Sequence, residues 1–257
     1  MRDRTIRMVV TDLDGTLLRD DKTVSAYTEG VIGRMRGRGV KFALATARPI
    51  RSVRGFLPGF GFDGAVYHNG AVIEQDGALR EGFGIAGPLA VVRRILADDP
   101  GARVAVEASD VLYSNFDTAG IWPGVGYTPT EDFRVVERLT ADKIIVEART
   151  LRELDAVRRS LPEELYAQLS EHRIAMIMNR QATKTNGIRL LAARWGIAME
   201  QIAAFGDDYN DIDMLKSCGV GVAVENALDE VKAAADEICQ SNEADGVARW
   251  LEGLPKA

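Results

Sequence analysis

Histidine, cysteine and long apolar runs are scarce in this sequence. Two histidines, His68 and His172, cannot furnish a three-histidine zinc site. Two cysteines, Cys218 and Cys239, follow no metal-ligand spacing and are expected as reduced thiols near the core. No apolar stretch approaches the roughly 20 residues that span a bilayer. The opening MRDRTIRMVVTDLDG holds a short apolar run that ends in acids, not at a small-residue cleavage site, so no secretory signal is expected there. Cytoplasmic localisation and no membrane partner are the expectations these absences carry. The formal net charge of −6 argues against general nucleic-acid binding, which needs clustered cations. It leaves room for a small phosphorylated substrate at one locally positive site. An apolar share of 46% and a charged share of 27% over 257 residues describe a chain able to bury a sizeable core, as one large domain or two small ones.

Several short apolar runs end in small or polar residues. MVVT (8–11) runs into Asp12, KFALAT (41–46) into Ala47 and Arg48, IAAF (202–205) into Gly206 and Asp207, and GVGVAV (219–224) into Glu225 and Asn226. None alternates apolar with polar, so each reads as a strand covered on both faces. Helical patterns are predicted over about 25–38, 186–195, 211–217 and 228–235. Strands alternating with helices imply an α/β fold with a parallel sheet, whose ligands bind beyond the carboxyl ends of the strands.

The middle of the chain differs. After a hairpin at AVIEQDGALR and a helix over about 88–97 come strand-like runs RVAVEA and VLYSN, separated by Ser109-Asp110. A Gly- and Pro-rich loop, AGIWPGVGYTP, precedes KIIVEA, the helical LRELDAVRRSL, and the strands YAQLS and RIAMIMN. Adjacent strands with short links predict antiparallel pairing. Residues 83–180 are therefore expected to form an α+β unit inserted into a parallel-sheet domain of residues 1–82 and 181–257.

Four patterns carry chemistry. Asp12-Leu13-Asp14-Gly15-Thr16 follows a buried strand, and both carboxylates can converge on one point once the chain turns at Gly15. A calcium-loop reading fails, because it needs Gly at position six and Glu at position twelve, where Thr23 stands. Gly206-Asp207-Asp208-Tyr209-Asn210-Asp211 follows a second buried strand. Taken alone it is a solvated acidic loop in which Asn210 caps the next helix. If it meets Asp12, the opposed carboxylates call for a cation, and oxygen ligands of this kind suit Mg²⁺. Thr46 ends ALATAR, with Arg48 beyond it. Lys184 lies in ATKTNGIRLLA; singly it reads as a surface lysine.

Together the four resemble the haloacid dehalogenase superfamily, in its branch of sugar-phosphate phosphatases with a large α/β cap (type IIB, Cof-like). DLDGTLL is similar to the first family motif, the threonine of LATAR to the second, Lys184 to the third and GDDYND to the fourth. HNGA (68–71), DMLKSCGVGVAVENA (213–227) and NEADGVARWL (242–251) fit as flanking text, and the gap between Thr46 and Lys184 is where that branch inserts its cap. The chain departs from the family in one place: Thr185 and Asn186 separate the lysine from Gly187.

The resemblance implies a Rossmann-like core with an inserted type C2B cap. It also implies a Mg²⁺-dependent phosphomonoester hydrolase acting on a small phosphorylated metabolite through an aspartyl phosphate. On it, Asp12 is the nucleophile and Asp14 the general acid and base. Thr46, Arg48, Lys184 and Asn210 bind substrate, with Thr46 and Lys184 also catalytic. Mg²⁺ is held by Asp12, Asp14 through its backbone carbonyl, Asp207 and Asp211, with Asp208 as a further candidate.

Three alternatives stay open on the residues alone: a phosphomutase of the same fold, a phosphosugar-binding protein without turnover, and a nicotinamide enzyme. The last rests on glycine patterns at 59–64 and 82–87, the latter with Glu107 at the end of the next strand, and neither pattern follows a buried strand. Candidate cap contacts to a substrate are Tyr113, Asn115, His172, Arg173 and Asn179. The residues name neither the substrate nor the oligomeric state.

Overall fold

The computed structural model describes residues 5–170 and 173–254, apart from the side chains of residues 80 and 81. His172 lies outside the described residues. The chain begins with β1 (Met8–Thr11), α1 (Ala26–Gly37), β2 (Lys41–Ala45), α2 (Ile50–Phe56), β3 (Gly64–Tyr67), β4 (Val72–Gln75) and β5 (Ala78–Glu81). It continues with α3 (Pro88–Asp98), β6 (Val104–Ala108), β7 (Val111–Ser114), β8 (Thr128–Pro129), β9 (Lys143–Glu147), α4 (Leu151–Arg159), β10 (Leu165–Ser170) and β11 (Ile174–Asn179). The last stretch holds α5 (Lys184–Arg194), β12 (Ile202–Gly206), α6 (Ile212–Ser217), β13 (Val220–Val224), α7 (Asp229–Ala234), β14 (Glu237–Cys239) and α8 (Gly246–Glu252). Two compact units result, one of residues 1–80 and 183–257 and the other of residues 81–182. No helix among the described residues is long and apolar enough to cross a membrane.

The first unit is built on an eight-stranded sheet ordered β14-β13-β12-β1-β2-β3-β4-β5. The run from β14 to β3 is parallel, and β4 returns antiparallel to β3. Of the strands expected from unbroken apolar runs, β1, β12 and β13 are fully buried and β2 is buried beyond Lys41, as in a sheet covered on both faces. The chain leaves β1 toward β2 and β3 on one side and comes back to β12, β13 and β14 on the other. The order of strand addition thus reverses between β1 and β12, and there the C-terminal ends of the parallel strands β1, β2 and β12 lie side by side.

Local chemistry sets the element ends. Ser25 caps α1 by accepting the Thr28 amide at 3.0 Å, and Thr28, Val31, Ile32 and Met35 form its buried stripe. Asp76 and Gly77 both have positive φ in the tight turn that joins β4 to β5. Helix α5 starts at Lys184, two residues before the expected start, because Thr183 caps it by accepting the Asn186 amide at 3.1 Å. The threonine and asparagine that separate the lysine from Gly187 are thus part of the first helical turn. Gly187 lies against Val66 of β3, where a β-carbon would collide.

The second unit has a six-stranded sheet ordered β10-β11-β9-β6-β7-β8, antiparallel except for the short β7–β8 pairing. Ser109 and Asp110, both at positive φ, make the two-residue link between β6 and β7. One face packs on α3 and α4 through Leu89, Val92, Ile95, Leu154 and Val157. The other is covered by the loop that carries Phe116, Ile121, Trp122 and Tyr127. Asn115 spends its amide on the backbone of Val104 and Ala102, and Asn179 on Gly84 and Gln181. Tyr113 packs against the core, and Arg173 is exposed. Three of the candidate substrate contacts thus have jobs inside their own unit.

Phe205 of β12 is fully buried and meets Trp250 edge-on, with ring centroids 5.2 Å apart. Phe205→Ala is expected to cost about 3–5 kcal/mol through lost burial and the cavity left behind. Urea unfolding should show this as a lower midpoint at an unchanged slope.

Candidate active site

Asp12 follows β1 directly, and its amide donates to the Phe205 carbonyl at 2.9 Å, one pairing step beyond the strand. The chain then turns at Gly15, with φ +75°, and a β-carbon there would collide with the Asp207 carboxylate. Glycine at this position therefore lets the first and fourth motifs approach each other. Thr16 fixes that approach by donating its hydroxyl to Asp207 Oδ1 at 2.6 Å. Asn226, after β13, donates to the Gly15 carbonyl at 2.7 Å and holds the turn from the other side.

Lys184 is the first residue of α5, and its side chain is almost wholly buried. Its Nζ lies 2.6 Å from Asp12 Oδ1 and 2.7 Å from Asp211 Oδ1. Asp211 is fully buried, and its Oδ2 accepts the amides of Asp207 and Asp208 at 3.0 and 3.1 Å. Both Asp211 oxygens are therefore engaged. Asp12 Oδ2 has no hydrogen-bond partner among the described residues.

Asp12, Asp207 and Asp211 each offer a carboxylate oxygen within 4.8 Å of the other two. Burial pushes the Asp12 carboxyl up to about 7; the Lys184 charge works against that rise and Asp211 adds to it. Burial likewise raises Asp207 to about 6, against the Thr16 hydrogen bond. Burial acts to lower Lys184, but Asp12 and Asp211 outweigh it and hold the ammonium charged. Asp12 and Asp207, both pushed up, converge with Asp211 in an all-oxygen set that fits a hard divalent cation.

A second group forms around Asp14. Arg48 grips both its carboxylate oxygens, through Nε and, at 2.7 Å, through Nη2, while Lys22 donates to Oδ1 at 2.9 Å. The Arg48 guanidinium also stacks on Phe56 with 4.6 Å to the ring centroid. Burial acts to raise Asp14, but the Arg48 and Lys22 hydrogen bonds outweigh it and hold the carboxyl below the usual range. Arg48, expected to bind substrate, is thus engaged with Asp14.

Thr46 follows β2, and its hydroxyl accepts the Arg48 amide at 3.1 Å. Asn210 is exposed and donates its amide to Asn69 Oδ1 at 3.3 Å. The Asp208 carboxylate accepts its own neighbour's amide, Tyr209, at 2.7 Å and is not among the three acids whose oxygens converge. The structure thus gathers Asp12, Lys184, Asp207 and Asp211 into one cluster and pairs Asp14 with Arg48. Sequence reasoning passed over Thr16, Lys22, Asn69 and Asn226 as individual residues. Thr16, Asn69 and Asn226 sit inside the strings DLDGTLL, HNGA and VENA, whereas Lys22 carried no signal.

The model of the haloacid dehalogenase-like hydrolases matches residues 9–82 and 126–251. This chain belongs to that family. As a haloacid dehalogenase hydrolase of the phosphatase type, it is similar to a 5-amino-6-(5-phospho-D-ribitylamino)uracil phosphatase of Bacillus subtilis. The two are 30% identical, over 95% of this chain and 96% of the relative. A solved haloacid dehalogenase phosphatase from Bacteroides thetaiotaomicron superposes with a TM-score of 0.83 at 25% identity, over 98% of this chain and 96% of the other. A solved subclass IIB sugar phosphatase shares the fold, with a TM-score of 0.76 at 23% identity over 96% and 98% of the two chains.

The raised carboxyls set a pH dependence. Without a cation, the folded hydrolase holds protons on Asp12 and Asp207 up to about 7 and about 6, whereas the ordinary value is 3.8. Their stabilising contribution is complete below that ordinary value and is lost as pH rises through 6 and 7. A cation must displace those protons, so its binding strengthens over the same window. The melting temperature in chelator should fall from pH 5 to pH 8, and the rise produced by millimolar Mg²⁺ should be larger at pH 8. Equal Mg²⁺ shifts at both pH values would contradict this account.

Proposed function

We propose that this hydrolase cleaves phosphate monoesters of small phosphorylated metabolites, sugar phosphates among them, through an aspartyl phosphate on Asp12. The observation that carries this reading is the Asp12 carboxylate, anchored to buried Lys184 through one oxygen and free at the other. In the first step Asp12 Oδ2 bonds to phosphorus as the ester P–O bond breaks, and the departing alkoxide takes a proton from Asp14. In the second step water attacks phosphorus and gives its proton to Asp14. The P–Oδ2 bond then breaks, leaving inorganic phosphate and the restored carboxylate.

Charge is the obstacle, because a carboxylate must approach a phosphate dianion. Lys184 meets part of this need, with the Thr46 hydroxyl and the Asn210 amide as donors to the non-bridging oxygens. Bound Mg²⁺, held by Asp12, Asp207 and the Asp14 carbonyl with Asp211 behind them, would neutralise the remaining charge. Asp211 orients Lys184 and the loop that carries Asp207. Arg48 and Lys22 are cations that an incoming phosphate would share with Asp14, leaving that carboxyl free to take up the proton it needs as an acid. Substrate choice belongs to the 81–182 unit in this reading, since all four motifs lie outside it. The relatives named above act on a phosphoribityl compound and on sugar phosphates, which supports a phosphorylated polyol or sugar as the substrate class.

Asp12 and Asp14 are separable by substitution. Asp12→Asn should abolish turnover of p-nitrophenyl phosphate, because an amide does not attack phosphorus, and should weaken Mg²⁺ binding by calorimetry. Asp14→Asn keeps the backbone carbonyl and should bind Mg²⁺ nearly as the parent does. It should lose about 10²–10⁴-fold in turnover of alkyl phosphates, the usual worth of general acid–base help. With an activated ester, acid-quenched Asp14→Asn should carry a phosphoryl adduct on Asp12 by peptide mass mapping. An adduct on another residue, or unchanged hydrolysis in excess chelator, would sink the scheme.

A further inference from the structure

Between β3 and β4 the chain passes through three consecutive residues with positive φ: His68 at 47°, Asn69 at 54° and Gly70 at 117°. Side chains disfavour this region, asparagine least among the non-glycine residues, and such runs persist only where the surroundings hold them. Here the surroundings are the proposed phosphate-binding motifs. The Asn69 amide donates to the Thr46 carbonyl at 2.9 Å, and the His68 amide donates to the Arg48 carbonyl at 3.2 Å. Gly70 lies so close to the backbone of Thr183, the cap of α5 next to Lys184, that a β-carbon would collide there. The Asn69 side chain accepts from Asn210 at 3.3 Å. One three-residue turn therefore touches the second, third and fourth motifs.

Asn210 needs such a contact. It is exposed on the three-residue turn Tyr209–Asp211, and the bond to Asn69 is its side chain's one hydrogen bond among the described residues. Without that bond the amide would be free to rotate, and binding a phosphate oxygen would first require fixing it. With Asn69 Oδ1 occupying one Nδ2 hydrogen, the other hydrogen is left for an oxygen of the substrate.

We propose that Asn69 is a positioning residue of the phosphate site: its side-chain carbonyl orients the Asn210 amide while its backbone amide pins Thr46. This rests on the reading of Thr46, Lys184 and Asn210 as phosphate ligands. Its side-chain part is separable from folding, because glycine at position 69 keeps both the left-handed turn and the bond to Thr46.

The test is a double-mutant cycle on the Mg²⁺-loaded enzyme, with p-nitrophenyl phosphate as substrate and inorganic phosphate as competitive inhibitor. Asn69→Gly should lower kcat/KM by about tenfold to a hundredfold, the usual range for a hydrogen bond to a charged group, and should weaken phosphate inhibition in parallel. In the Asn210→Ala background the same change should cost less than about threefold, because the residue it acts through is gone. Asn69→Asp keeps an acceptor and tolerates the turn, so in that background Asn210→Ala should still cost what it costs in the parent. Losses that multiply in the Asn69→Gly cycle, or parental kcat/KM in Asn69→Gly, overturn the proposal. Absence of phosphomonoester hydrolysis by the parent itself would instead overturn the functional reading on which it rests.

Discussion

A buried ammonium held by two buried carboxylates is the constraint on which the rest of this site depends. Lys184 stands at the first position of a helix, where the macrodipole disfavours a cation, and it is removed from water, which disfavours it further. Asp12 and Asp211 offset both penalties, at 2.6 and 2.7 Å. Breaking such a pair leaves an uncompensated buried charge, which typically costs about 3–5 kcal/mol. The Asp211 carboxylate that secures the lysine also gathers the amides of Asp207 and Asp208. The position of the acidic loop and that of the lysine are therefore one geometric problem with one solution.

Two aspartates two residues apart end in opposite electrostatic settings. Asp12, on the axis of the strand, is buried and pushed up, whereas Asp14, just before the turn at Gly15, is held down by Arg48 and Lys22. Pairs whose surroundings drive their proton affinities apart are how one fold divides nucleophilic from acid–base work. In the proposed reaction that contrast would divide the two roles, and here it comes from backbone shape: as the chain leaves β1, one carboxylate meets Lys184 and the other the guanidinium that lies on Phe56.

The sheet of the first unit was legible in the sequence because its central strands are unbroken apolar runs, and the ends of MVVT, KFALAT and IAAF fell within one residue of β1, β2 and β12. The start of α5 was less so. The period of the apolar face pointed to Asn186, but a threonine cap moved the start to Lys184, and capping is a hydrogen-bond choice that periodicity does not contain. The cluster residues were legible as motif text, each at the end of a strand or the start of a helix. The contacts between motifs were not. Thr16 on Asp207, Asn226 on Gly15 and Asn69 on Asn210 join residues 141 to 211 positions apart, and no local pattern marks such pairs. Lys22 is the extreme case, an ordinary-looking loop cation whose value lies wholly in what the turn brings it against.

The central position of β1 also bears on how the chain is made. Its neighbour β2 follows within about thirty residues, but the partner on its other edge, β12, begins only at Ile202. A chain emerging from the ribosome therefore carries an apolar strand with one open edge through the synthesis of nearly two hundred residues. During that interval residues 81–182, contiguous and with a core of their own, can close as a unit. The edge of β1 has no such local remedy. Unpaired backbone of this kind is a template for pairing with another chain, so the strand that leads into Asp12 is also where the nascent protein is most exposed to self-association.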